Sequence, residues 1–157
     1  MKFRDQVRPS DVADVRDLVD ATRMFRPDEA AIAVELVEDG ATKGAASDYH
    51  FLFADAETGL DGYICYGVVP CTIGTWDLYW IAVQPTLQGQ GLGRRLVDEM
   101  ERRIRATSGR LVTVDTSGRA DYAPTRGFYG RVGYDIAATF PDFYAPGDAK
   151  VVFTKRL

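Results

Sequence analysis

The chain has 157 residues, of which 46% are hydrophobic and 27% charged. That suits one domain, burying roughly 70% of the surface that its unfolded form exposes, and nothing in it suggests disorder. A net charge of −4 and a pI near 5.0 exclude a generally cationic, nucleic-acid-coating surface. A single histidine, His50, and two cysteines without CxxC or CxxH spacing, Cys65 and Cys71, exclude a histidine-rich metal centre. The charged start Met1-Lys2-Phe3-Arg4-Asp5 is unlike a secretion signal, and no run approaches the roughly 18 apolar residues of a bilayer span. The expectation is a cytoplasmic protein with reduced thiols, no metal, no nucleic acid and no membrane.

Residues 3–7 read as a short first strand. Pro9, Ser10 and Asp11 open a helix whose apolar stripe is Val12, Val15, Leu18 and Val19. Pro27-Asp28-Glu29 opens a second helix, with Ile32, Ala33, Leu36 and Val37 inward and an end near Asp39-Gly40. Three strands follow at 49–54, 63–69 and 75–83, with Gly67 a candidate bulge. A long helix is expected over about 91–107 and a strand over 111–116. A shorter helix near 121–132 should stop at Gly133. Strands at 134–140 and 150–156 close the chain, with Pro146-Gly147 supplying the residues of a type II turn. No repeat or linker interrupts 1–157, so the order describes one α/β domain. Its sheet is mixed, with hairpins first and strand–helix–strand crossovers later.

The most informative segment is 78–97: a strand, a short loop, glycines at 89, 91 and 93, then an amphipathic helix. Leu92, Leu96, Val97, Met100 and Ile104 make that helix's apolar face. Alternate glycines let backbone N–H groups approach a ligand, and at a helix start those groups are unpaired and partly positive. No Ser, Thr, Asp or Asn stands at Gln88, Gly89, Gln90 or Gly91 to cap them. Arg94 and Arg95 occupy the first turn, where a cation opposes the helix dipole and no acidic residue lies four positions upstream. A bound anion accounts for both features. No Lys-Ser or Lys-Thr follows the glycines, which excludes a Walker A loop. Leu96 and Arg94 stand where a dinucleotide fingerprint needs a small residue.

Gln88-x-x-Gly91-x-Gly93, between a strand and a helix, resembles the pyrophosphate motif of the GNAT superfamily of acyl-CoA-dependent N-acetyltransferases. Phe128-Tyr129-Gly130-Arg131-Val132-Gly133-Tyr134 resembles that family's second motif. The resemblance covers nearly the whole chain. It implies a mixed, mostly antiparallel sheet flanked by helices, with a splay between the strands at 75–83 and 111–116. It also implies acetyl-CoA as co-substrate, its pyrophosphate held by Gln88, Gly89, Gln90, Gly91, Leu92, Gly93 and Arg94. Ile81, Ala82 and Val83 would offer backbone groups to the pantetheine arm, and an N–H near Val83 would polarise the thioester carbonyl. Tyr129 would protonate the departing thiolate. Where many members carry an Asn after the equivalent strand, this chain has Thr116-Ser117.

The activity so implied is transfer of acetyl to a primary amine of a small-molecule acceptor by direct attack, in a chain free to form a homodimer. The alternatives are a non-catalytic acyl-CoA-binding regulatory domain, acetylation of a protein or peptide amine, and a nucleotide-phosphate binder using the same turn. An alkyl amine has a pKa near 10, so a base must take its proton. Asp115, ending a strand near the splay, is the first candidate, followed by Asp77 and His50.

Overall fold

The structure, a computed structural model, describes residues 2–157. The elements in chain order are α1 (Asp11–Thr22), α2 (Pro27–Lys43), β1 (His50–Asp55), β2 (Leu60–Val68), β3 (Thr75–Val83), α3 (Leu92–Ala106), β4 (Leu111–Ser117), α4 (Ala123–Arg131), β5 (Asp135–Ala145) and β6 (Asp148–Arg156). The strands form one sheet in the order β1-β2-β3-β4-β6-β5. β1–β2, β4–β6 and β5–β6 pair antiparallel, and β3–β4 pair parallel. Contacts gather into two units: residues up to Gly67 with Trp80–Met100, and Val68–Tyr79 with Glu101–Leu157.

In the first unit, Val15, Leu18 and Val19 of α1 and Ala33 and Val37 of α2 close over Phe51, Phe53, Tyr63 and Cys65. These strand residues alternate onto one face, and Leu52, Ala54 and Ile64 between and beside them are buried on the other. The expected strand at 3–7 shrinks to a single bridge, Arg4 with Phe53. Its side chain explains the shortening. The Arg4 guanidinium meets Asp11 at 2.8 Å and Asp55 at 2.6 Å, while buried Asp11 also accepts the Arg8 N–H at 2.6 Å. The chain is thereby turned into α1 rather than along β1.

α2 departs from expectation in face and in length. Ala30, Ala33, Val34, Val37 and Gly40 are buried, whereas Ile32 is 51% exposed. The helix runs through Gly40 to Lys43. A Cβ at Gly40 would lie 2.7 Å from the Phe51 ring, so this glycine serves close packing instead of termination. The irregularity of β1–β2 falls between Ala54 and Asp55.

In the second unit, Val112 and Val114 of β4 and Val151 and Phe153 of β6 are buried, as are Tyr129, Val132 and Tyr134. Glu101 is also buried there. Its carboxylate takes Lys155 Nζ at 2.9 Å on both oxygens and the Tyr134 hydroxyl at 3.2 Å. Gly133, at φ +94, ends α4 as expected. β5 and β6 extend to Ala145 and Asp148 around Pro146-Gly147, where Gly147 has φ +80, the sign a type II turn needs.

The parallel ladder covers Thr75–Leu111, Trp76–Val112 and Asp77–Thr113. The ladder ends at Asp77 and Thr113, although β3 runs on to Val83 and β4 to Ser117.

Candidate active site

The glycine turn belongs wholly to the first unit. β3 ends at Val83, a short 3-10 turn spans Pro85–Leu87, and α3 begins at Leu92. Three glutamines brace the loop. Gln84 donates through Nε2 to the Leu60 carbonyl at 3.2 Å, Gln88 to Val83 at 3.2 Å and Gln90 to Thr86 at 2.9 Å. The sequence reading missed Gln84, and gave Gln88 and Gln90 only a ligand role.

Gly89 and Gly91 have φ +76 and +89, a conformation that L side chains rarely adopt. A Cβ built on either meets nothing within 4 Å, so open space lies where the backbone could meet a phosphate. The Arg95 N–H donates to the Gly91 carbonyl at 3.1 Å, and the N–H groups of Leu92 and Gly93 precede it at the helix start. The Leu92 side chain is buried, so a ligand could use only its backbone, while Arg94 is exposed. Ala82 is buried and Ile81 and Val83 half-buried on β3. The residues assigned to an acyl-CoA pyrophosphate therefore fit such a group: a turn with glycines at positive φ, unobstructed, at the start of a helix.

The other candidates belong to the second unit, apart from His50. Tyr129 is 3% exposed, its ring centroid 5.4 Å from Phe128, 5.9 Å from Tyr134 and 5.7 Å from Phe153. Burial, with Tyr122 adding to it, pushes the phenol's pKa up. It stays protonated at neutral pH and could give a proton but not take one.

Asp115 is exposed on β4 and ion-paired to Lys150 at 3.1 Å. Asp77 is half-buried and accepts a short hydrogen bond from the Thr113 hydroxyl. Burial raises its carboxyl pKa, and the neighbouring Asp115 charge adds to that. His50 stacks on Tyr66 in the first unit, and burial lowers its pKa. Cys65 is buried, with its thiol pKa raised by burial, and Cys71 is exposed. Thr116 donates to the Val151 carbonyl at 2.9 Å and Ser117 to Asp148, so both hydroxyls tie β4 to β6. Among the described residues no group of three or more His, Cys, Asp or Glu could hold a metal ion. Among the described residues no helix is long and apolar enough to cross a membrane.

A mixed sheet with the parallel pair β3–β4, followed by a glycine turn at a helix start, is the arrangement that the resemblance to acyl-CoA-dependent N-acyltransferases implies. Comparison narrows it. The family profile described as an acetyltransferase (GNAT) domain matches residues 47–136. A blasticidin-S acetyltransferase of Streptomyces morookaense is 37% identical over 111 residues, covering 68% of this chain and 76% of that one. A solved structure from Desulfovibrio desulfuricans, assigned to the GNAT family, is 47% identical with TM-score 0.95, covering 98% of this chain and 97% of that one. An aminoglycoside 6'-N-acetyltransferase solved with coenzyme A has TM-score 0.76 over 99% of this chain and 97% of its own; at 17% identity it shows the fold alone. The chain belongs to the GNAT family and is an acetyl-CoA-dependent N-acetyltransferase.

Proposed function

We propose that the chain transfers the acetyl group of acetyl-CoA to a primary amine of a small-molecule acceptor by direct attack. The observation that carries this reading is the turn, in which Gly89 and Gly91 at positive φ face open space immediately before α3. The blasticidin-S acetyltransferase relative acts on a small molecule, which supports an acceptor of that size.

When bound, acetyl-CoA supplies an acyl group activated as a thioester. The chain's own residues do the rest. Backbone N–H groups of the turn from Gln88 to Arg94 bind the pyrophosphate, with the Arg94 charge assisting. The β3 backbone at Ile81, Ala82 and Val83 aligns the pantetheine arm, and an N–H near Val83 is offered to the carbonyl oxygen. Asp77 takes the proton of the acceptor's ammonium, directly or through water. Asp115, the first candidate in the sequence, is engaged by Lys150 and better suited to recognising charge. Tyr129 gives its proton to the departing thiolate, which restores the thiol of CoA, and regains one through solvent from the attacking nitrogen as the amide forms. Direct attack is favoured over a covalent enzyme intermediate because buried Cys65 has its thiol pKa raised, not lowered.

A thiol-release assay with acetyl-CoA against small amines, amino acids, polyamines and short peptides tests the proposal. Release with at least one small amine is expected. Release only with peptides would move the acceptor to protein. CoA binding without release from any amine would identify a regulatory binder.

A further inference from the structure

We propose that Asp115, Phe140 and Phe143 form a subsite for an ammonium group of the acceptor, and that Lys150 is its built-in competitor. The inference rests on amine acetylation as the chain's function and deepens it by naming the acceptor as cationic.

The subsite is assembled by the register of two ladders in the second unit. Phe140 of β5 stands opposite Lys150 of β6, and the next recorded pair is Ala145–Asp148. Residues 141–144 of β5 thus stand against Ala149 alone, three more residues than on β6, and form an arch. Asp142, at φ +55, accepts the Gly147 N–H at 2.8 Å and closes it. Across the other ladder, Asp115 of β4 pairs with Val152, two residues along from Lys150. Lys150 Nζ ends 3.1 Å from the Asp115 carboxylate, 4.6 Å from the Phe143 ring centroid and 5.9 Å from that of Phe140. One carboxylate and two ring faces around an ammonium are the contacts by which proteins recognise alkylammonium ligands.

Core packing does not account for the arrangement. Phe140 and Phe143 remain 49% and 55% exposed, so the arch presents its rings outward. Nor is Lys150 needed as a clamp, because an ion pair to a half-exposed carboxylate contributes little and is readily exchanged. An acceptor ammonium would take over the same contacts from a tethered lysine. The half-buried Asp77 carboxyl feels both Asp115 and Lys150, which puts cation recognition within electrostatic reach of the proposed base.

The test is calorimetric titration of spermidine into the CoA-bound protein, alongside Michaelis constants for spermidine in the thiol-release assay. Lys150→Met keeps the apolar stem and removes the competing charge. It should tighten spermidine about threefold to tenfold, the range expected from exchanging one exposed ion pair and a cation–π contact. Asp115→Asn and Phe143→Leu should weaken it by a similar factor in the otherwise unchanged chain. Unaltered or weaker spermidine binding by Lys150→Met overturns the proposal, as does unaltered binding by both Asp115→Asn and Phe143→Leu. Phe143→Leu lies on the exposed arch and reads the subsite even if a charge variant fails to fold. Absence of thiol release from every amine, with these binding changes intact, would defeat the acetylation reading and leave the cation subsite standing.

Discussion

Asp77 and Asp115 project from adjacent strands, yet their surroundings give them different chemistry. Asp77 is half-buried, tied to Thr113 and raised in pKa; Asp115 is exposed and matched by Lys150. If Asp77 is the base, Asp77→Asn should lower kcat by roughly a hundredfold or more, the span given for positioned bases. The acidic limb of the wild-type rate profile should lie above the ordinary carboxylate range, since the base works only when ionised. Asp115→Asn should act on the Michaelis constant instead. Tyr129→Phe should likewise lower kcat by about two orders of magnitude while leaving CoA affinity nearly constant. An unperturbed phenol would bring an alkaline limb near 10. Burial raises this one, so the limb should lie above that value and disappear in the Phe variant. Near-normal turnover of Tyr129→Phe would make the ring a packing residue and leave water as the proton donor.

At the scale of elements, the turn before α3 is where backbone and ligand should meet. Gly91→Ala adds a methyl that no protein atom touches within 4 Å, although φ +89 imposes strain. CoA affinity should therefore fall by more than the variant's stability does, read as titration against thermal melting. Equal affinity in a folded Gly91→Ala protein would remove the phosphate assignment. This element was legible in sequence because its signals are local. β3 has the bounds expected of its β-branched and aromatic run, and α3 differs by one residue at each end from the helix that its apolar spacing predicts. The inner face of α2 was not legible, since the choice of Ala30 and Val34 over Ile32 depends on how closely α2 approaches Phe51. The first strand failed for a similar reason: Arg4 is claimed by Asp11 at the start of α1 and by Asp55, a carboxylate distant in sequence. Glu101 shows the limit most clearly. Spacing pairs it with Arg105, which does lie 3.4 Å away, but its closer partner is Lys155, brought there by β6. The Thr113–Asp77 bond and the cage around Lys150 equally needed the β3–β4 and β5–β6 registers, which periodicity within one segment does not contain.

For the whole molecule, three tyrosines couple folding to pH. Burial raises the pKa of Tyr63 and Tyr129, and burial with Glu101 raises that of Tyr134. The folded chain therefore holds these protons more tightly than the unfolded chain, whose phenols titrate near 10. Their contribution is complete below that pH and is lost as the pH rises beyond it. The melting temperature should drop steeply on the alkaline side, and less steeply in Tyr129→Phe or Tyr134→Phe. A wild-type protein whose alkaline melting profile those replacements leave unchanged would contradict the linkage. The central claim, acetylation of a small amine, is tested most directly by following a carbon-13 label in the acetyl group of acetyl-CoA. Mass and nuclear magnetic resonance spectra of the products should show the label on an acceptor nitrogen as an amide, in proportion to the thiol released. Label found only as free acetate, or retained on CoA with every small amine supplied, would contradict it.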